Sequence, residues 1–268
     1  MAESGKRRVL ITVRTYPAPA QKGAETSCTA AVSEDGKWIR LFPVPYRSLP
    51  PDKKFSKYQW ITAELKKARS DTRPESYHIS INTIALGEKV PSDNAWAARK
   101  HILKPLMRPS MCAIERERAE HGHPTLGLFR PANIKRLAIT PCSPDWTAAQ
   151  KAILGQQTLG FDSHTPKEEL EKIPFDFRYE FNCADPACRG HKMLCTDWEM
   201  AEAYRQWRRQ YGGGGWETKF RDKFERKMIE HLDTHFYVGT LHGHPGTWII
   251  VGLFYPPKEP ESPQGRLL

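Results

Sequence analysis

Four potential soft-metal ligands fall within thirteen residues, in the order Cys183-x4-Cys188-x2-His191-x3-Cys195. No other feature restricts the fold as much, because four side chains that share one ion must converge through tight loops. Asp185-Pro186 and Arg189-Gly190 are turn formers placed between them. Zinc takes four such ligands tetrahedrally, and the spacing predicts a zinc knuckle joining a strand to a helix. An iron–sulfur cluster also accepts this ligand set. A closed four-ligand shell is structural. If Cys195 stood outside it, the open position would admit a water, with Asp197 and Glu199 as carboxylates to activate it. The same residues have a plainer reading. Thr196-Asp-Trp-Glu199 is a capping box, with Thr196 as cap, Glu199 reaching back from N3 and Asp197 suiting the helix dipole.

The flanking segments are patterned. Phe175, Phe177, Tyr179 and Phe181 alternate with polar residues and predict a strand. Glu199–Tyr211 predicts a helix stopped by Gly212–Gly215. Trp216–Leu232 predicts another, with Phe220, Phe224, Met228 and Leu232 on one apolar stripe. His235–Leu241 and Thr247–Phe254 predict a terminal hairpin. Upstream, Asn94–Leu103, Ser110–Glu120 and Trp146–Leu154 read as helices, Ile134–Ile139 as a strand and Gly155–Lys167 as a connecting loop. The first hundred residues read as short strands separated by turn signals, among them Asp35-Gly36 and the prolines from Pro43 to Pro51. The fold class expected is α+β. A basic, β-rich, barrel-like unit spans 1–110, a mixed connecting region 111–172, an α+β unit with the metal knuckle 173–256, and a disordered tail 257–268.

Charge suggests the partner. The chain carries 41 Lys+Arg against 31 Asp+Glu, a net +10. Residues 1–70 hold 14 Lys/Arg and 6 Asp/Glu, or +8. An excess packed into one quarter of the chain favours a polyanion, DNA or RNA. In Trp38-Ile-Arg-Leu-Phe42, Ile39 and Leu41 would face the core and Trp38, Arg40 and Phe42 the outside. Aromatic rings interleaved with arginine form a stacking platform for unpaired bases. Tyr46-Arg47, Lys57-Tyr58 and Trp60 would extend it, with Lys53, Lys54, Lys66 and Lys67 near phosphates. The alternative is that these rings are buried between barrel and neighbouring unit.

Weaker signals complete the inventory. His-Gly-His-Pro occurs at His121–His123 and at His242–His244, His231 and His235 bracket Asp233, and Glu64-Leu-Lys66 and Glu217-Thr-Lys219 have the outline of nuclease motifs. Six cysteines in 268 residues are too few for a disulfide scaffold, so reduced thiols and a cytoplasmic protein are expected. No apolar run approaches the roughly 20 residues of a membrane helix, and the first residues do not form a signal peptide. Nucleic-acid binding with a structural zinc is the leading expectation. A metal-dependent nuclease or other hydrolase of nucleic acid is the second, and a protein-interaction module of a larger complex the third. Oligomeric state is left open.

Overall fold

The computed structural model describes residues 4–20, 24–156, 169–241 and 243–258. The fold is α+β, as expected. The N-terminal unit supplies β1 (Ser4–Arg14), β2 (Ala18–Ala20), β3 (Ala24–Ser33), β4 (Trp38–Val44), β5 (Gln59–Lys67), β6 (Ser76–Ile79) and β7 (Ala85–Lys89). Five of these close a barrel in the order β1-β3-β4-β6-β5, with β5 returning to β1. Every pairing in the ring is antiparallel except β4 with β6. β2 extends from β3, and β7 from β5.

Strand β1 shows why this unit is not free-standing. Val9 and Ile11 fill the barrel with Ile39, Leu41, Ile61 and Leu65. Leu10 and Val13 face outward into a second core. A bulge between Ile11 and Val13 shifts the side-chain parity, so Val13 joins the outer face. A strand apolar on both faces must be covered on both.

The cover is the C-terminal unit: α1 (Asp93–Leu103), β8 (Met107–Arg108), α2 (Met111–His121), β9 (Leu126–Phe129), β10 (Asn133–Pro141), α3 (Ala148–Gln156), β11 (Phe175–Asn182), β12 (His191–Leu194), α4 (Trp198–Arg221), β13 (His235–Leu241) and β14 (His244–Phe254). One sheet runs β10-β11-β12, another β14-β13-β9-β8. Leu126, Leu128, Tyr237, Val251 and Phe254 pack on Leu10, Val13, Ala30 and Val32 of the barrel. The approach is close: a Cβ on Gly252 would sit 2.9 Å from Val13 Cγ2. A further core lies behind, where Phe177, Tyr179 and Phe181 point inward against Phe220, Phe224 and Met228. Phe177 and Phe220 stack at 4.5 Å. Each such ring contributes about 1.5–3 kcal/mol by burial.

Two expectations need adjustment. The helix that begins at Trp198 does stop at Gly212, which leaves helical geometry at φ 70° and ψ −167° and breaks α4 into two segments, but the second segment begins within the glycine run, at Gly213, rather than at Trp216. Burial of Trp216 and Phe220 outweighs the roughly 1 kcal/mol helix cost of each glycine. In α1 the first residues, Asn94–Trp96, are left-handed (φ 49°, 49° and 62°), which sets Trp96 against Phe254 and Tyr255. The expected loop Gly155–Lys167 and the tail 257–268 fall, from residues 157 and 259 onward, outside the described residues.

Candidate metal centre

Cys183 follows β11, Cys188 lies in the loop beyond, and His191 opens β12. Their fourth companion is Cys112, from the first turn of α2. The four ligand atoms all lie within 4.8 Å of one another, close enough to hold a metal ion. Cys183 Sγ is 3.5 Å from both Cys112 Sγ and His191 Nε2, and Cys112 Sγ is 3.5 Å from His191 Nε2. Sulfurs 3.5 Å apart are not a disulfide, whose bond is about 2.05 Å.

The loop is built for this convergence. Asp185 Oδ1 accepts the Ala187 N–H at 2.9 Å and its carbonyl accepts the Cys188 N–H at 3.0 Å. Arg116 of α2 holds the other carboxylate oxygen at 2.5 Å. Gly190 turns the chain at φ 95°, a region that favours glycine. The Cys183 and Gly190 N–H groups each donate to Cys188 Sγ at 3.4 Å, and Asn182 Nδ2 approaches at 4.0 Å. Ser110 caps α2 by accepting the Ala113 N–H, which fixes the first turn that carries Cys112. Phe181 stacks on the His191 ring at 5.0 Å and fixes its plane.

The two close thiols titrate as a pair. Burial pushes both up, and each feels the other. Hydrogen bonds from the backbone and His191 bring Cys183 down to about 6, while burial and the Cys183 sulfur push Cys112 up to about 12.

Cys195, expected as the fourth ligand, is elsewhere. It lies four residues along an extended strand from His191, about 13 Å at the rise of a strand. There it is buried, its N–H bonded to the Phe177 carbonyl, and burial raises its thiol pKa. Cys112 could not be found by spacing: it is 71 residues before Cys183 and has no local motif.

Asp197 and Glu199 belong to the join between the units. Asp197, not Thr196, caps α4: its Oδ1 accepts the Glu199 N–H at 2.7 Å. Its Oδ2 accepts the Leu253 N–H at 3.0 Å and lies 3.6 Å from Lys57 Nζ. Thr196 Oγ1 donates instead to the Ile250 carbonyl at 3.4 Å. Glu199 accepts the Tyr255 hydroxyl at 2.9 Å and sits 3.7 Å from Lys57. Burial works against the Lys57 ammonium, but the two carboxylates outweigh it and hold its pKa above the usual value. Burial pushes Asp197 up.

The expected stacking platform is only partly outside. Ile39 and Leu41 face the barrel core, as read. Arg40, however, is 2% exposed, 3.2 Å from Glu75, and donates to the Thr125 carbonyl at 2.8 Å. Its face of the barrel is roofed by the C-terminal unit, which a single strand's pattern cannot reveal. Trp38 is half-buried, with its edge on Tyr237, and Phe42 is exposed. Arg47 pairs with Glu25 at 2.7 Å, and Lys57 donates to the Leu253 carbonyl at 2.7 Å. Lys66 is on the surface.

The remaining motifs resolve simply. The His121 and His123 rings are 5.9 Å apart, and His242 lies outside the described residues. His235 is buried against the Asp233 carbonyl, and burial lowers its pKa. Glu217 pairs with Arg221 along α4.

A family model described as Domain of unknown function (DUF8757) matches residues 107–267, and one described as Domain of unknown function (DUF8758) matches residues 5–105. No curated protein matches the chain.

Proposed function

We propose that this chain, which belongs to the family described as Domain of unknown function (DUF8757), is a cytoplasmic nucleic-acid-binding protein with a structural zinc. The observation that carries the nucleic-acid reading is where the charge lies. Residues 5–105 hold 19 Lys/Arg and 9 Asp/Glu, or +10, while residues 107–267 hold 22 and 21, or +1. The excess lies in the barrel strands and the α1 segment that follows them, which is the electrostatic footprint of a polyanion site. The barrel's connectivity adds an analogy. Numbered by its own five members, it runs 1-2-3-5-4 and back to 1, with 3 and 5 parallel. That is the OB-type arrangement, a fold used for oligonucleotides and oligosaccharides alike.

The donor set supports zinc. Tetrahedral zinc, with bonds of about 2.3 Å to sulfur and 2.0–2.1 Å to nitrogen, puts its ligand atoms about 3.5–3.8 Å apart. Three of the separations are 3.5 Å. Three cysteines and a histidine close the shell and leave no position for a reacting water, so the role is structural. The hydrolytic reading loses its base as well, because Asp197 and Glu199 are committed to the cap, Leu253, Tyr255 and Lys57. The six cysteines are all free thiols, which suits a reducing compartment.

Oligonucleotide binding measured against salt tests the reading. Affinity should fall steeply between about 50 and 200 mM salt as phosphate counterions are released. Flat affinity, or none at low salt, would overturn it.

A further inference from the structure

Since the outer face of β4 is roofed, the excess charge needs another address. The described residues form a groove of about 1110 Å³ along the barrel, bordered by the start of β1, the β3–β4 turn and the segment from Lys67 to Tyr77. His123 and Pro124 of the C-terminal unit flank it.

Its charges are unequal in availability. Arg8 is neutralised by Glu34 and Glu88, and Lys37 by Asp35. Glu75 is turned onto Arg40. Lys6 and Arg7 have no carboxylate partner among the described residues, and Lys67 contacts only the carbonyls of Arg73, Pro74 and Ser76. Rings stand beside these cations. The Arg7 guanidinium is 4.7 Å from the Tyr77 ring centre and Lys67 Nζ is 5.0 Å from it, while Trp38 lines the groove a short way along.

We infer that this groove binds single-stranded nucleic acid, with phosphates on Lys6, Arg7 and Lys67 and unpaired bases on Trp38 and Tyr77. The inference rests on the nucleic-acid reading above and gives it a location. Cations without counter-charges beside ring faces are the parts of a single-strand site. Both rings are half-buried, and bases already paired in a duplex cannot offer their faces to them. The size agrees: at about 1110 Å³ the groove exceeds the roughly 300–1,000 Å³ that encloses one drug-sized ligand and has room for a few nucleotides. Arg7 also offers its guanidinium plane as a stacking surface.

The test uses the full chain and fluorescently labelled 12-mers of mixed sequence, as DNA and RNA, single-stranded and duplex. The wild type should prefer single strands. Lys6→Glu combined with Arg7→Glu should weaken single-strand binding about tenfold or more at low salt and lower the salt slope by about 1.4, the share of two single-strand phosphate contacts. Lys54→Glu combined with Lys104→Glu, an equal charge change on exposed residues outside the groove, should cost far less. Ultraviolet cross-linking of the wild type, which needs no variant to fold, should place adducts on peptides containing Trp38 or Tyr77. Equal losses from the two double variants, a preference for duplex, or adducts confined to other peptides would overturn the groove and leave the general reading standing. No binding of any oligonucleotide at low salt would overturn that reading itself.

Discussion

At the scale of single residues, identity is set by what lies opposite. Arg40 has the sequence profile of a base-stacking arginine and the surroundings of a buried ion pair. Arg40→Ala should therefore destabilise the protein by about 3–5 kcal/mol, because it leaves Glu75 buried without its partner. Urea unfolding would show this; an unchanged midpoint would mean that the pair is not buried in solution. Asp71 makes a pH prediction. Burial raises its pKa, but hydrogen bonds from the Arg73 side chain and backbone N–H and the Arg73 charge outweigh this and hold it well below the carboxylate range. A depressed folded pKa contributes stability above the unfolded value of about 3.9 and loses it as pH falls below. Asp71→Asn should thus be less stable than wild type at pH 6, and the gap should begin to narrow below about pH 4 and close only as the pH falls through the depressed folded pKa. A constant gap between the two proteins would contradict the assignment. Residue by residue, the sequence was readable where the clustered side chains share one loop, as Cys183, Cys188 and His191 do. It was misleading at Cys195, where an equally short spacing runs along a strand. It was silent at Cys112, which only the tertiary fold brings in.

At the scale of elements, periodicity located most strands and helices, and the errors lie at their ends. Both Thr196 and Asp197 are good caps by type, and the choice between them depends on Leu253 and Lys57, far away in sequence. Thr196→Ala should cost less than about 1 kcal/mol, whereas Asp197→Ala removes a cap worth about 0.5–2 kcal/mol and unbalances Lys57 as well. Comparable losses would return the cap to Thr196. The glycine run of α4 offers a sharper contrast. Gly212 holds a backbone that other residues reach only with strain, while Gly214 is helical with open space around a would-be Cβ. Gly212→Ala should destabilise, and Gly214→Ala should stabilise by up to about 1 kcal/mol. Equal effects at the two positions would mean that the kink is elsewhere. A run of four glycines reads as a stop, and Gly212 is that stop; what sequence does not show is the packing of Trp216 and Phe220 that lets the next segment begin inside the run.

For the whole molecule, the α+β class and a barrel-like first unit followed from short strands and turn signals. Closure did not, because β1 pairs with β5 across some fifty intervening residues. Nor did the roof over the barrel, which takes part of the expected binding face inside. What remains outside is the charge, concentrated on the barrel, and a Cys/His cluster, close enough to hold a metal ion, that joins α2 to the β11–β12 loop. The centre is the account's main claim, since a four-ligand ion contributes folding energy directly. Native mass spectrometry of protein purified without chelator, on wild type, Cys112→Ser and Cys195→Ser, tests it most directly. The account predicts one zinc per chain in the wild type and in Cys195→Ser, and none, with a lower melting temperature, in Cys112→Ser. Metal absent from the wild type, or kept by Cys112→Ser and lost by Cys195→Ser, would contradict it.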